Sequence, residues 1–330
     1  MPPATIPNVS VSECDGQRTF DGVPFPLVLK PQTGLSTSSD VISWLSTNAE
    51  ALKGELTKYG AVLFRDFPIQ TPEDFAAFVE ALGEENFPYI GGNAVRTNVV
   101  RDVVFTANES PPSEKIPWHH EMAQLPEYPT KLLFFCERPA ARGGETPIVL
   151  SFRVLERVRE KHPEFVAALE EQGVRYIRVA PEESDPTSAL GRGWKSTFKV
   201  ETREEAEERM KADGYEWEWL PNGDLKTITK PLPAVKKHPL TQRPQFFNQV
   251  IAAYTGWNDS RNVSKKAIVL GKDGTFLNEE AMAEVVRVTE EEKAKFGWQK
   301  GDVLLVDNLQ AMHSRSDFEP PRRILASILR

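Results

Sequence analysis

Only two of the 330 residues are cysteines, Cys14 and Cys136, which excludes a disulfide framework and a cysteine-type zinc cluster alike. Cys136 closes the apolar run Leu132-Leu133-Phe134-Phe135, where a small buried thiol is the usual role. Long apolar runs are missing too. None approaches the roughly 20 residues that a membrane helix needs, and Met1-Pro2-Pro3-Ala4-Thr5 lacks the basic and then apolar stretch of a secretory signal. The expectation is an intracellular, cytoplasmic protein without a membrane partner. Basic clusters are absent as well: 40 Lys and Arg against 48 Asp and Glu give a net charge of -8, with the cations scattered among acids. That argues against nucleic acid as a partner, because phosphate backbones are held by clustered Lys and Arg. A small-molecule substrate remains, even an anionic one, since one or two pocket arginines can grip a carboxylate.

What is present describes a globule able to bury a sizeable core, with 40% hydrophobic and 27% charged residues. The length allows two average domains, yet sheet-rich folds often form a single unit of this order. The expected organisation is an irregular lead-in over 1–38, rich in Pro, Ser, Thr and Gly, with a short strand at Leu27-Val28-Leu29, followed by one domain over 39–330 with an insertion at about 181–240. Apolar residues at helical spacing from Val41 to Tyr59, with Gly60 at the C-terminal cap, predict a helix that feeds the strand Ala61-Val62-Leu63-Phe64. Thr71-Pro72-Glu73-Asp74 predicts the start of a second helix. Turn signals at Gly91-Gly92, Asn108 and Pro111-Pro112 surround the strand-like Val103-Val104-Phe105. Further strands are expected at 131–136, 147–150, 174–179, 302–306 and 322–329, with helices over 151–171, broken at Pro163, and over 279–294. Within the insertion, Thr202-x-x-Glu205 reads as a capping box and Asn222-Gly223 as a hairpin turn. Loops on a rigid scaffold often shape pockets, which makes Arg192, Trp194 and Lys195 candidates for substrate contact, against the plainer reading of a solvated loop with a packed Trp.

Histidine is scarce: His119, His120, His162, His238 and His313. In Trp118-His119-His120-Glu121 an imidazole and a carboxylate are two residues apart, so on an extended strand both leave one face and can grip one ion. A polar strand end or a turn would read the same way, and His162-Pro163-Glu164 repeats the spacing. His162, however, falls between two charged helical stretches, where Pro163 and Glu164 simply open a new helix. His120 should point to the opposite face of the strand and pack. His313 follows an apolar strand and a polar turn, where a side chain can point into the mouth of a barrel. Two histidines and one carboxylate leave positions open on a metal, as in non-haem Fe(II) oxygenases. Such a site needs a chelating reductant, which a 2-oxo acid supplies through its keto oxygen and C1 carboxylate. The far carboxylate then needs a fixed cation, and Arg323, on the strand after His313, suits it.

These residues resemble the taurine dioxygenase and clavaminate synthase-like group of Fe(II)/2-oxoglutarate oxygenases, over most of the chain from 59 to 329. Tyr59-Gly60-Ala61-Val62-Leu63-Phe64-Arg65 looks like that group's early strand and Trp118-His119-His120-Glu121 like its metal motif. Gly143-Gly144-Glu145-Thr146 resembles the stretch whose Thr bonds 2-oxoglutarate, Gly301 to His313 the segment with the third ligand, and Arg322-Arg323-Ile324-Leu325 the one with the 2-oxoglutarate arginine. The fold implied is mainly β with surrounding helices, a double-stranded β-helix or jelly roll. The resemblance implies Fe(II) on His119, Glu121 and His313, 2-oxoglutarate on Thr146 and Arg323, and O2 as co-substrate. Hydroxylation of a small molecule with release of succinate and CO2 is the default outcome, with desaturation or ring closure also known in the group. Glu121 replaces the Asp of taurine dioxygenase, as in the clavaminate synthase branch. A small residue there would open a halide position, so Glu121 speaks against a halogenase. The sulfonate-binding arginine of taurine dioxygenase is matched here by Ser327, which speaks against a sulfonate. Two rivals share the triad: a zinc hydrolase, which leaves Thr146 and Arg323 without a task, and a silent small-molecule-binding barrel. The substrate and the oligomeric state are not readable.

Overall fold

The computed structural model describes residues 6–94, 96–107, 110–185, 187–188 and 190–330; the turn expected at Asn108 lies outside them. Its largest sheet has eight strands in the order Val9–Ser12, Leu27–Pro31, Ala61–Phe64, Val303–Asp307, Lys131–Arg138, Arg323–Leu329, Val104–Thr106 and Asn98–Val100. A second sheet has three, Ile148–Leu150, Ala311–Arg315 and Ile116–His119. The packing of the central strand Lys131–Arg138 explains why its sequence is apolar without a break from Leu132 to Cys136. Leu133 and Phe135 pack on one side in a cluster with the helices Ser38–Tyr59 and Pro72–Ala81, while Leu132, Phe134 and Cys136 pack on the other with Ile148, Leu150 and Ala311 of the second sheet. Both faces are covered, and alternation of hydrophobic with polar residues is lost.

The helix termini follow their capping chemistry. Thr37 and Thr71 each accept a bond from the backbone N–H three residues on, and Asp40 and Asp74 return it; such caps contribute about 1 kcal/mol each. Gly60 ends the first helix at φ 75°, a conformation that only glycine adopts without strain. From there Ala61–Phe64 runs parallel to Leu27–Pro31. The stretch 1–38 is therefore not an irregular lead-in: within its described part, Val9–Ser12 and Leu27–Pro31 pair and extend the main sheet, and Arg18–Phe20 pairs with Val23–Phe25. The strand at Leu27–Pro31 is the one expected at Leu27-Val28-Leu29; the others are three or four residues long and interrupted by turns, too short for a periodic signal.

The segment at 181–240 contributes to a separate four-stranded sheet, Glu216–Trp219, Leu225–Ile228, Val174–Ala180 and Ile268–Leu270, with the expected hairpin at Asn222-Gly223. It has its own small core of Trp194, Phe198, Ala206, Met210 and Leu225.

One buried ion pair ties the early strand to the turn before Val303–Asp307. Arg65 donates twice to Asp302, at 3.1 and 2.7 Å, and also to Gly297 O at 2.9 Å, with side-chain exposures of 8% and 1%. Removing one partner strands a charge in the interior, so Arg65→Met is expected to lower stability by about 3–5 kcal/mol. Urea unfolding reads this as a fall in midpoint at constant slope; a loss below about 1 kcal/mol would mean that Asp302 finds other solvation.

Candidate active site

The second sheet brings the two distant histidines together. Ala311–Arg315 pairs with Ile116–His119 so that His313 stands opposite His119, with ring centroids 4.2 Å apart. Glu121 lies just past the end of its strand, in a turn followed by Met122 at φ 56°. Asn308 holds it there, accepting from Glu121 N at 2.8 Å and donating to Glu121 O at 3.0 Å and Pro129 O at 2.7 Å. The outcome matches the spacing argument by a different route, a turn and a side-chain clamp instead of a continuing strand.

Glu121 Oε2 lies 4.0 Å from His119 Nε2 and 3.7 Å from His313 Nε2, and one ligand atom from each of the three residues falls within 4.8 Å of the others. His119 Nδ1 donates to Pro117 O at 2.8 Å, which leaves Nε2 with its lone pair toward the centre. Burial pushes the pKa of His119 below its usual value against the pull of Glu121, and burial together with His119, Arg96 and His120 pushes that of His313 well below it; both rings are kept neutral, the form that binds metal. Among the described residues this is the one group of His, Cys, Asp and Glu with ligand atoms converging in this way. The donor set of two neutral imidazoles and one carboxylate suits a divalent transition metal.

The trio opens onto a cavity of about 650 Å³ that is also lined by Arg96, Met122, Gln124, Phe134, Thr146, Arg315, Arg322 and Ile324. Thr146 is buried, its hydroxyl accepting from Trp298 Nε1 at 3.2 Å. Gly144, two residues earlier, has φ 73°, and a Cβ there would come within 2.7 Å of Arg322 Cδ. The glycine turn lets that arginine lie flat, its Nε donating to Gly144 O at 2.8 Å. Burial and the neighbouring Arg315 bring the Arg322 pKa down to about 10, the signature of a desolvated cation.

The arginine expected at 323 needs correction. Arg323 is exposed and pairs with Glu137, whereas Arg322 reaches the cavity. A register shift between Arg323 and Ile324 explains it: Arg323 stands opposite Arg138 but Ile324 opposite Cys136, so the pairing skips Glu137. Arg322 shares a face with Ile324, and Arg323 turns to an outer cleft with Arg138 and Lys300.

None of Arg192, Trp194 and Lys195 lines the cavity. Arg192 is consumed by Gly92 O at 2.8 Å and Ser196 O at 2.7 Å. Trp194 is buried against Trp219, and Lys195 pairs with Glu182 and Glu183. The segment reaches the cavity instead through Asp185, Thr187, Ser188 and Leu190. His120 is fully buried, facing the carbonyls of Asn308 and Phe246; burial takes its pKa down to about 3, so the neutral ring donates to one of them and no nitrogen is left for a metal. His162 joins the helices Ser151–Lys161 and Pro163–Gln172, away from the cavity. His238 Nε2 donates to Asp307 at 3.1 Å.

The residue missed in the sequence is Arg96. Its guanidinium lies 2.9 Å from Glu121 Oε1 and 4.4 Å over the Tyr89 ring. Burial works against its charge, but Glu121 and Tyr89 together outweigh it, and the pKa lies above the usual arginine value.

Among the described residues no helix is long and apolar enough to cross a membrane. Comparison with known proteins adds lineage to this geometry. A clavaminate synthase-like protein of Arabidopsis thaliana is 48% identical over 318 residues, covering 94% of this chain and 96% of its own. The dapdiamide synthesis protein DdaC of Enterobacter agglomerans is 29% identical over 285 residues, 83% of each chain. The crystal structure of PvcB from Pseudomonas aeruginosa superposes with a TM-score of 0.56 at 15% identity, over 98% of this chain and 91% of that one. A second PvcB structure, described as an Fe, alpha-ketoglutarate dependent oxygenase from an isonitrile synthetic pathway, gives 0.53 at 14% identity and the same coverage. The family model described as taurine catabolism dioxygenase TauD, TfdA family matches residues 29–329. The chain belongs to the TauD/TfdA dioxygenase family.

Proposed function

We propose that the protein is an Fe(II)- and 2-oxoglutarate-dependent dioxygenase that hydroxylates a small molecule, with a core of the double-stranded β-helix type. The observation that carries this reading is the convergence of His119, Glu121 and His313 on one wall of a cavity whose adjoining wall presents Thr146 and Arg322. The two helically flanked, face-to-face sheets support the fold assignment. The zinc hydrolase and the silent barrel lose ground to the dioxygenase family match.

In this reading the three ligands hold Fe(II), which supplies O2 activation coupled to decarboxylation of the 2-oxo acid. Arg322 binds the far carboxylate in place of Arg323, and Thr146 donates to the same co-substrate. Phe134 and Ile324 give the cavity an apolar wall that excludes water from the reacting C–H bond. The balance is substrate C–H, O2 and 2-oxoglutarate to substrate C–OH, succinate and CO2. Counted from Arg322, the position four residues on is Ala326, so a sulfonate anchor is missing there as it is at Ser327.

The test is a screen of small-molecule pools against iron-loaded protein for succinate release above the substrate-free rate. A positive pool yields a product one oxygen heavier. Tight zinc binding with no response to 2-oxoglutarate would sink the proposal.

A further inference from the structure

We infer that Trp298 is a positioning residue for the co-substrate: its indole N–H sets the Thr146 hydroxyl so that the hydroxyl proton is left for 2-oxoglutarate. This rests on the oxygenase reading above and adds to it the group that orients one of the two co-substrate contacts. An indole nitrogen can only donate, whereas a threonine hydroxyl has one proton and two lone pairs. Trp298 Nε1 donates to Thr146 Oγ1 at 3.2 Å, so one lone pair is taken and that side of the oxygen is closed to the proton. The hydroxyl makes no other hydrogen bond among the described residues, and Thr146 lines the cavity at 4% exposure. The proton is therefore free for an acceptor inside the cavity, and a carboxylate or keto oxygen offers nothing but lone pairs. Trp298 is not among the residues that line the cavity; it acts through Thr146.

The indole is held in turn by the buried ion pair of Arg65 with Asp302, a pair that the reaction itself does not use. Arg65 donates to Gly297 O at 2.9 Å, on one side of Trp298, and Asp302 Oδ2 accepts from Gln299 N at 2.9 Å, on the other. The Arg65 guanidinium also lies 5.9 Å from the Phe296 ring centroid, and that ring meets Trp298 edge to face at 5.6 Å. The ion pair thus grips the main chain immediately before and after the tryptophan. The second co-substrate contact is built alike: Arg322 Nε is engaged by Gly144 O at 2.8 Å, two residues before Thr146. Each contact is backed by a hydrogen bond within the protein, so neither has to be ordered when the ligand arrives.

The test is a double-mutant cycle on the full-length protein loaded with Fe(II), titrated anaerobically with 2-oxoglutarate while the visible band is followed. Thr146→Val, which keeps the shape and removes the hydroxyl, should raise the half-saturating concentration by about 10-fold or more, and Trp298→Phe by about 3- to 10-fold. In the Thr146→Val background Trp298→Phe should add less than about 2-fold, because the hydroxyl it acts through is gone. The band at saturation should persist in every variant, since the iron ligands are untouched. The benzothiophene analogue of tryptophan at position 298 exchanges the N–H for sulfur at nearly the same shape. It should repeat the effect of Trp298→Phe, and it keeps the test decisive if that variant does not fold. Three results overturn the inference: an unchanged half-saturation with the analogue or in Trp298→Phe; the same rise with and without the Thr146 hydroxyl, which would make Trp298 a packing residue only; or loss of the band at saturation, which would tie Trp298 to the metal. Thr146→Val without effect removes the hydroxyl from the co-substrate and the inference with it. Absence of the band in the unmodified protein counts against the oxygenase reading itself.

Discussion

His313→Ala is expected to weaken Fe(II) binding by more than about 100-fold, beyond the range that loss of a ligand's outer partner brings. The main chain at 313 pairs with Ile148 and His119 on either side, and those bonds do not depend on the side chain, so the sheet survives. The imidazole is what disappears. It leaves His119 and Glu121 as two donors, and the gap beside Phe134, whose ring centroid is 5.2 Å from that of His313, is apolar on that side. Anaerobic titration with Fe(II) and 2-oxoglutarate should show the weak visible charge-transfer band in the unmodified protein and not in the variant. A band of equal strength at equal iron would remove His313 from the ligand set.

The second large effect separates two neighbours. Arg322→Ala should raise the 2-oxoglutarate concentration needed for half-saturation by about 10- to 100-fold, the worth of a hydrogen bond to a buried charge, while iron is retained. Arg323→Ala should leave that requirement where it was, since an exposed ion pair such as Arg323 with Glu137 is worth about 0–1 kcal/mol and touches only the outer cleft. The opposite ranking would restore the assignment drawn from sequence.

Why the sequence misplaced that arginine is instructive. In a strand with one solvated face, alternation would have told which of Arg322 and Arg323 shares the face of Ile324. From Ile324 to Leu329 the strand is covered on both sides, with Leu325 and Leu329 in one cluster and Ile324, Ala326 and Ile328 in another, so the run is apolar but for the buried Ser327 and carries no parity. The register shift next to it has no sequence mark at all. The triad was legible for the reverse reason: with five histidines, few combinations exist, and His119-x-Glu121 and His313 both adjoin strong strand signals. Thr146 was singled out through the resemblance carried by Gly143-Gly144-Glu145-Thr146, and it does line the cavity. Arg192, Trp194 and Lys195 were misread because a Gly-rich aromatic loop looks the same whether it lines a pocket or closes a small core, as Trp194 does here. Arg96 left no trace, since it lies in a stretch without periodicity and meets Glu121 only through the fold.

Asn308 has a consequence for how this site can vary. The main-chain ladder that carries His119 ends at that residue, yet Glu121 is still held at both its N–H and its C=O by the Asn308 amide. A single side chain thus imitates one further rung of sheet. The segment from 122 to 128 is thereby relieved of setting the carboxylate's position, so a change in its length or shape need not move Glu121.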